Sequence, residues 1–173
     1  MDGIDGLVAG SLIFVVLTTS VILNQNFYSL ISALLAFLFW NWSPSKVFMG
    51  DVGSTFLGGF IVSALTNASN IESSILIFIA CMPLLLDALV CLLRRFLYNQ
   101  NIFEPHKLHL YQRLYQAGIS HRKISSLYAT LTLIIAIIIS IDFQYLPLVL
   151  CSYLIIGLYL DKKIAVKFYF PKY

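Results

Sequence analysis

The chain has 173 residues, of which 60% are hydrophobic and only 11% are charged, and its formal net charge is +3. An average soluble domain has roughly 25% charged residues, so a water-soluble fold of this composition would lack polar side chains to cover its surface. The composition therefore excludes an ordinary soluble domain and predicts an integral membrane protein.

Six apolar runs follow one another along the chain, at residues 7–23, 27–42, 56–66, 75–93, 124–141 and 146–160. Roughly 20 mostly apolar residues cross the bilayer hydrocarbon as a helix, and about 17 is a workable minimum. Runs 75–93 and 124–141 qualify alone, and the shorter runs qualify with weakly polar neighbours. We therefore expect an all-α, polytopic membrane protein of about six transmembrane helices, forming a single membrane domain over residues 1–173.

The basic residues argue against the alternative, which is buried helices in a large soluble enzyme. All eleven lie in alternate gaps or in the tail, and the gaps 24–26, 69–74 and 142–145 contain none. Lys and Arg concentrate in cytoplasmic loops, so this pattern predicts that both termini and the loop 94–123 are cytoplasmic. The positive charge then lies along one membrane face, where it favours anionic headgroups and substrates rather than nucleic acid.

Two acidic, glycine-containing segments stand where predicted helices begin on the cytoplasmic side. They read DGIDG at residues 2–6 and KVFMGDVGS at residues 46–54. Free backbone N–H groups at a helix N-terminus favour a phosphate, and glycine lets a ligand approach the backbone. Carboxylates beside a diphosphate indicate Mg²⁺, which takes one or two protein oxygens together with phosphate oxygens and water. Asp2, Asp5 and Asp51 are the candidates, with ordinary helix caps as the alternative.

The loop 94–123 contains a third candidate segment, FEPHKLHLYQRL at residues 103–114. A helix beginning near His106 would present a polar face suited to a diphosphate, because Arg offers paired N–H donors. An amphipathic helix at the membrane surface is the alternative. Zinc is disfavoured, because only two histidines stand together and the sequence places no cysteine nearby. The predicted polar face consists of His106, His109, Arg113 and Gln116.

Asp87 is the one ionisable residue well inside an apolar run. Such residues are often functional. Pro83, one turn earlier, would free backbone groups at a kink, so a structural hydrogen-bonding role for Asp87 is favoured. The cysteines lack metal-ligand spacing and are expected to be reduced core residues. They are Cys81, Cys91 and Cys151.

The three polar segments together resemble a known family. DGIDGL at residues 2–7 resembles its DGxDGL motif, and residues 41–58 resemble its N-x-x-P-x-x-x-F-x-GD-x-GS-x-x-LG segment. HKLHLYQRL at residues 106–114 resembles the H-x-x-HLYQRL version of its cytoplasmic histidine loop, which is associated with O-antigen and capsule initiation. The family is that of the polyprenyl-phosphate N-acetylhexosamine-1-phosphate transferases, of the glycosyltransferase family 4 type.

The resemblance implies transfer of a sugar-1-phosphate from a UDP-sugar to undecaprenyl phosphate, with Mg²⁺ and release of UMP, at the bacterial inner membrane. It implies that Asp51 binds the metal, that Phe48 stacks on the uracil and that Asp5 hydrogen-bonds to the uracil. Asn41 would complete a polar floor for the substrate. The residues implied to be catalytic are Asp2, Asp5, His106, His109 and Arg113.

The family also has further spans and a paired Asp-Asp motif, which lie upstream of anything in this chain. The chain is therefore expected to be the C-terminal half of a larger transferase, completed by an N-terminal half or acting as a homodimer. A non-catalytic membrane module or truncated remnant is one alternative. A small transporter built around Asp87 is another, although a transporter site is expected near the bilayer midplane.

Overall fold

The structure, a computed structural model, describes residues 3–168, and over that range the chain forms helices and no strands. A 3₁₀ turn at Phe143–Tyr145 precedes the last α-helix, and a π-helical turn at Leu160–Ile164 follows it. The all-helical fold class is confirmed. The α-helices are α1 Leu7–Leu23, α2 Tyr28–Asn41, α3 Gly50–Thr66, α4 Ile71–Ala80, α5 Met82–Leu97, α6 Leu110–Gln116, α7 His121–Ile141 and α8 Leu146–Tyr159.

Every predicted apolar run falls on these helices, but not every helix meets the length of a membrane span. Among the described residues, α7 alone is long and apolar enough to cross a bilayer by itself. Helices α4 and α5 meet that criterion as a pair, and α1 and α2 are shorter apolar helices. The composition and the all-helical fold agree with a membrane protein, and the count of six spans stays a prediction.

The predicted run 75–93 is not one straight helix, because α4 and α5 meet at an angle of 76°. Pro83 stands in the first turn of α5. Proline has no N–H to donate, so it is tolerated in the first turn of a helix and breaks a helix that would continue through it. The break therefore follows directly from the sequence at this position.

Helix α1 lies at the centre of the molecule and packs against α2, α4 and α7. It is apolar around its whole circumference, as expected of a helix surrounded by others. Its buried Thr18 and Thr19 hydroxyls donate to the carbonyls of Phe14 and Val15, both at 2.9 Å. These bonds suit α1 to an apolar environment, because both threonine hydroxyls are satisfied within the helix.

The outer helices expose large apolar side chains, as expected of surfaces that face lipid. Phe56 on α3 is 61% exposed, and Leu148 and Ile155 on α8 are 72% and 67% exposed. A soluble monomer rarely leaves such side chains in contiguous patches. The exposed apolar surface therefore supports the prediction of a membrane environment.

Candidate functional site

The two acidic segments of the sequence are joined in the structure. The Asp5 carboxylate accepts hydrogen bonds from the Ser45 hydroxyl at 2.9 Å and from the Ser45 N–H at 3.3 Å. The Gly6 N–H donates to the Asn41 side-chain oxygen at 2.9 Å, and the Asn41 amide donates to the Val47 carbonyl at 2.8 Å. Asn41 is 5% exposed. The N-terminal segment and the α2–α3 loop are therefore joined by hydrogen bonds into one unit.

Two glycines have backbone conformations that explain their presence in these segments. Gly6 has φ of 73°, and a Cβ at this position would lie 2.7 Å from the Trp42 ring. Only glycine permits both this conformation and this close approach. Gly50, the first residue of α3, has φ of 64°. The glycines thus fix how the chain enters α1 and α3, next to Asp5 and Asp51.

His121 adds a third element to this unit. Its Nδ1 lies 3.1 Å from an Asp5 carboxylate oxygen and 3.3 Å from the Asp5 backbone nitrogen. The Ser125 hydroxyl, one turn further along α7, donates to the Asp5 carbonyl at 2.6 Å. Burial alone would raise the pKa of Asp5, but hydrogen bonds from Ser45 and His121 outweigh it and lower the pKa below its usual value. Asp5 is therefore held as a carboxylate.

His121 is not among the site residues predicted from the sequence. The available signal was its position, since it lies in the basic loop directly before an apolar run, like the other candidate residues. Asp2, also predicted to belong to this site, lies outside the described residues.

Asp51 and Phe48 are exposed and take no part in the hydrogen bonds of this unit. Asp51 lies exposed in the first turn of α3, and Phe48 in the preceding loop is 65% exposed. Within residues 3–168 the Asp51 carboxylate accepts no hydrogen bond, and no side chain caps α3. Its carboxylate oxygens lie at a helix N-terminus, where a phosphate is also favoured. They are therefore suited to bind Mg²⁺ together with phosphate oxygens. Neither Asp5 nor Asp51 is the ordinary side-chain helix cap that the sequence left as an alternative.

The histidine segment differs from the helix predicted to begin near His106. Helix α6 begins at Leu110, and residues 106–109 lie before it in non-helical conformation. The reason is the Asp87 carboxylate, which accepts the N–H groups of Leu110 at 2.8 Å and Tyr111 at 3.2 Å. Asp87 also accepts from the Tyr128 hydroxyl at 2.6 Å. Asp87 thus has the structural hydrogen-bonding role favoured from the sequence.

Because α6 begins only at Leu110, the four residues of the predicted polar face do not lie on one helix. His106 and His109 remain neighbours, with ring centroids 5.0 Å apart. Burial, Arg95 and His109 all lower the pKa of His106, which favours its neutral form. Gln116 instead turns back and donates to the Lys107 carbonyl at 3.2 Å.

Arg113 is buried and bonded to groups of the chain itself. It is 3% exposed, and it donates to the carbonyls of Leu108 at 3.2 Å and Val166 at 2.9 Å. Its remaining terminal nitrogen pairs with the Asp161 carboxylate. Contact between Arg113 and a diphosphate stays a prediction, and it would require a change in these bonds.

The cysteines are not all core residues. Cys81 and Cys91 are buried, but Cys151 is exposed on α8. The argument that no cysteine lies near the two histidines is wrong in three dimensions, because Cys91 Sγ lies 4.0 Å from His106 Nδ1. The fold brings α5 against the histidine segment, a contact that spacing along the chain does not reveal.

Comparison with known proteins gives matches over much of the chain. Residues 1–69 match the sequence model of glycosyl transferase family 4. A probable undecaprenyl-phosphate N-acetylglucosaminyl 1-phosphate transferase of Bacillus subtilis (strain 168) is 35% identical over 136 residues, covering 70% of this chain and 37% of that protein. A decaprenyl-phosphate N-acetylglucosaminephosphotransferase of Mycobacterium leprae (strain TN) is 31% identical over 155 residues, covering 72% of this chain and 39% of that protein.

A phospho-N-acetylmuramoyl-pentapeptide-transferase of Streptococcus uberis (strain ATCC BAA-854 / 0140J) is 47% identical over 70 residues, covering 36% of this chain and 21% of that protein. No solved structure matches the chain. The chain spans less than two fifths of the length of these relatives, at 37%, 39% and 21%.

Proposed function

We propose that the protein takes part in transferring a sugar-1-phosphate from a UDP-sugar to undecaprenyl phosphate, because residues 1–69 match the sequence model of glycosyl transferase family 4. The family and the named relatives are phosphotransferases, and two of the relatives' names specify a polyprenyl phosphate and N-acetylglucosamine. We propose an N-acetylhexosamine donor for this chain, and a site on the cytoplasmic face of a bacterial plasma membrane. The product would initiate a cell-envelope polysaccharide, and the H-x-x-HLYQRL segment favours O-antigen or capsule.

The observation that carries the proposal is the junction of the two acidic segments. Asp5 is bonded to Ser45, and Gly6 to Asn41, so segments from separate parts of the sequence meet as one unit. Asp51 and Phe48 are left exposed beside it. Such an arrangement suits a nucleotide diphosphate, which needs an aromatic surface for the base and hard oxygens for a metal.

In the proposed reaction, a phosphate oxygen of the lipid attacks the phosphorus that bears the sugar. A new phosphorus–oxygen bond forms, the bond to the bridging oxygen breaks, and that oxygen leaves with UMP. Rate enhancement in phosphoryl transfer comes mainly from positioning the groups and neutralising their charge. Asp51 would hold Mg²⁺, which neutralises diphosphate charge when it is bound.

The other residues of the chain would position the nucleotide. Phe48 would stack on the uracil through its exposed ring. Asp5, ordered by Ser45 and His121, would orient a hydrogen-bonding group of the base. His106 and His109, side by side before α6, would face the sugar or the diphosphate.

A chimeric transferase tests the proposal, because the chain spans only part of its relatives. This chain would be fused behind the N-terminal part of the Bacillus subtilis relative, replacing the region to which it is similar. We expect membranes with the chimera to transfer radiolabelled sugar-phosphate from a UDP-N-acetylhexosamine into a lipid extract. Asp51→Asn should remove most of this activity, because loss of a metal-binding carboxylate costs several kcal/mol of charge stabilisation.

Glu72→Gln is the matched control, since Glu72 is also an exposed carboxylate in the first turn of a helix, on α4. It should leave transfer unchanged. Near-normal turnover in Asp51→Asn would remove Asp51 from the metal site. A chimera that inserts stably but makes no product with any UDP-sugar would support the alternative of a non-catalytic membrane module.

A further inference from the structure

Cys91 joins His106 and His109, the two histidines proposed to face the sugar or the diphosphate, in a cluster. One ligand atom from each of the three side chains lies within 4.8 Å of the others. Cys91 comes from the middle of α5, whereas the histidines come from the segment before α6. We propose that these three side chains form a binding site for Zn²⁺, with a fourth position open to water.

The distance between Cys91 and His106 is close to what a tetrahedral zinc ion requires. Zn–S and Zn–N bonds of about 2.3 and 2.0–2.1 Å place tetrahedral ligand atoms roughly 3.3–3.6 Å apart. Cys91 Sγ lies 4.0 Å from His106 Nδ1, so closing this gap takes only about 0.5 Å. Residues 106–109 are not helical, so this adjustment breaks no helix. The metal would replace the hydrogen bond that His106 Nδ1 accepts from the Leu108 N–H at 3.4 Å.

The chemistry of the donor set favours zinc over magnesium. A thiolate and two imidazoles are borderline-soft ligands, whereas Mg²⁺ selects oxygen. Three protein ligands with one open position is an arrangement known from zinc sites. The Cys91 thiol would release its proton to solvent as the Zn–S bond forms.

Asp87 provides a second, independent observation. Its carboxylate lies 3.6 Å from His109 Nδ1, a distance too long for a hydrogen bond. That nitrogen is buried and has no hydrogen-bond partner in the described part of the chain. Histidines that bind a metal usually donate their other ring N–H to a carboxylate, which fixes the ring. A small shift of His109 toward Asp87 would make this bond and direct Nε2 at the metal.

Hydrogen bonds from Arg95 fix the loop before the histidines against the end of α5. Arg95, which is 3% exposed, donates to the carbonyl of Glu104 at 3.0 Å and to that of Asn101. These bonds close the turn after α5 and place His106 over Cys91. A cavity of about 90 Å³ borders Cys91. It exceeds the space that one water needs, so the sulfur is not sealed from small molecules.

The test measures metal binding directly and does not depend on sugar-phosphate transfer. The full chain in detergent would be titrated with Co²⁺, whose thiolate complexes give a ligand-to-metal charge-transfer absorption, and then with Zn²⁺ to displace it. We expect one metal ion per chain. Cys91→Ser should lose the charge-transfer band, and its Zn²⁺ affinity should fall by roughly 100-fold or more, since losing an outer-shell partner alone costs about 10- to 100-fold.

Cys151→Ser is the matched control, because Cys151 is exposed on α8 and belongs to no such cluster. It should keep both the band and the affinity. His106→Gln, in a non-helical segment, provides a second variant should Cys91→Ser fold poorly, and it should also weaken Zn²⁺. Absence of the band in the original chain, or its persistence in both the Cys91 and the His106 variants, would overturn the proposal.

Discussion

Asp161 neutralises two arginines that come from different helices. Both of its oxygens accept from Arg94, at 3.0 and 2.7 Å, and one of them also pairs with the buried Arg113. Such charge-assisted, paired bonds are stronger than neutral hydrogen bonds. The residue was not singled out from the sequence, where it is one of several charges in a basic tail. Its role is to join the end of α8 to α5 and α6.

We predict that Asp161→Asn lowers stability by about 3 kcal/mol, because it leaves the Arg113 charge buried without its partner. The midpoint of thermal unfolding in detergent is the measurement. Glu72→Gln, which neutralises an exposed carboxylate on α4, should leave the midpoint within error. Equal midpoints for the two variants would show that the arginines are neutralised by other means.

The same contact predicts a direction for the pH dependence of stability. Burial alone would raise the pKa of Asp161, but hydrogen bonds from Arg94 and Arg113 outweigh it and lower the pKa below its usual value. A carboxylate with a lowered pKa in the folded state stabilises the fold above its unfolded pKa, and this contribution is lost as the pH falls. Between neutral pH and pH 3, the original chain should therefore lose more stability than Asp161→Asn.

At the scale of the elements, α6 depends on a carboxylate from another helix. It has only seven residues. Isolated helices of this length are unstable in water, so α6 needs support from tertiary contacts. Asp87 on α5 supplies that support by accepting the N–H groups of Leu110 and Tyr111. The start of α6, and with it the position of His109, is therefore set by α5.

We predict that Asp87→Ala releases α6 while the central helices remain folded. Two buried N–H groups and the Tyr128 hydroxyl would lose their acceptor, at a cost of about 1–3 kcal/mol for each group. Hydrogen exchange followed by mass spectrometry should show faster exchange in residues 106–116 and little change in α1. Unchanged protection of α6 would mean that its other contacts suffice.

The helices could be predicted from the sequence because each apolar run lies within the segment that becomes helical. The break before Pro83 could be anticipated for the same reason, since the missing N–H acts on its own helix. The start of α6 could not, because it depends on Asp87, which lies 23 residues away. In the candidate site, the partnership of Asp5 with His121 spans 116 residues, and no local pattern marks it. Motif positions identify the segments, but only the fold shows which side chains meet.

At the scale of the whole molecule, the polar segments gather at one end of the helices. Asp5 before α1 is bonded to Ser45 between α2 and α3 and lies against His121 at the start of α7. Arg122 donates to the Ser43 carbonyl at 2.7 Å. These three segments are all predicted to lie on the cytoplasmic side, and their contacts agree with that placement, which stays a prediction.

We predict that a membrane-impermeant thiol reagent added outside cells labels Ser69→Cys and does not label Phe103→Cys. Both positions are exposed, and they lie in gaps of opposite predicted side. Cys151 would first be replaced by serine, because it is also exposed. Phe103→Cys should become reactive once the membrane is opened. Strong labelling of Phe103→Cys in intact cells would reverse the predicted topology.

The last prediction is that the 173-residue chain, expressed alone in a bilayer, does not make polyprenyl-diphospho-sugar from a UDP-sugar and undecaprenyl phosphate. Arg94 and Arg113 could hold a lipid phosphate, but both are paired with Asp161. The chain also spans only 37% and 39% of two of its transferase relatives. Without groups that hold the lipid phosphate in line with the diphosphate, the reaction loses roughly 7–11 kcal/mol of barrier reduction from positioning. Radiolabel should enter the lipid extract only when the N-terminal part of the Bacillus subtilis relative is co-expressed, and robust product from the chain alone would show that its own residues suffice.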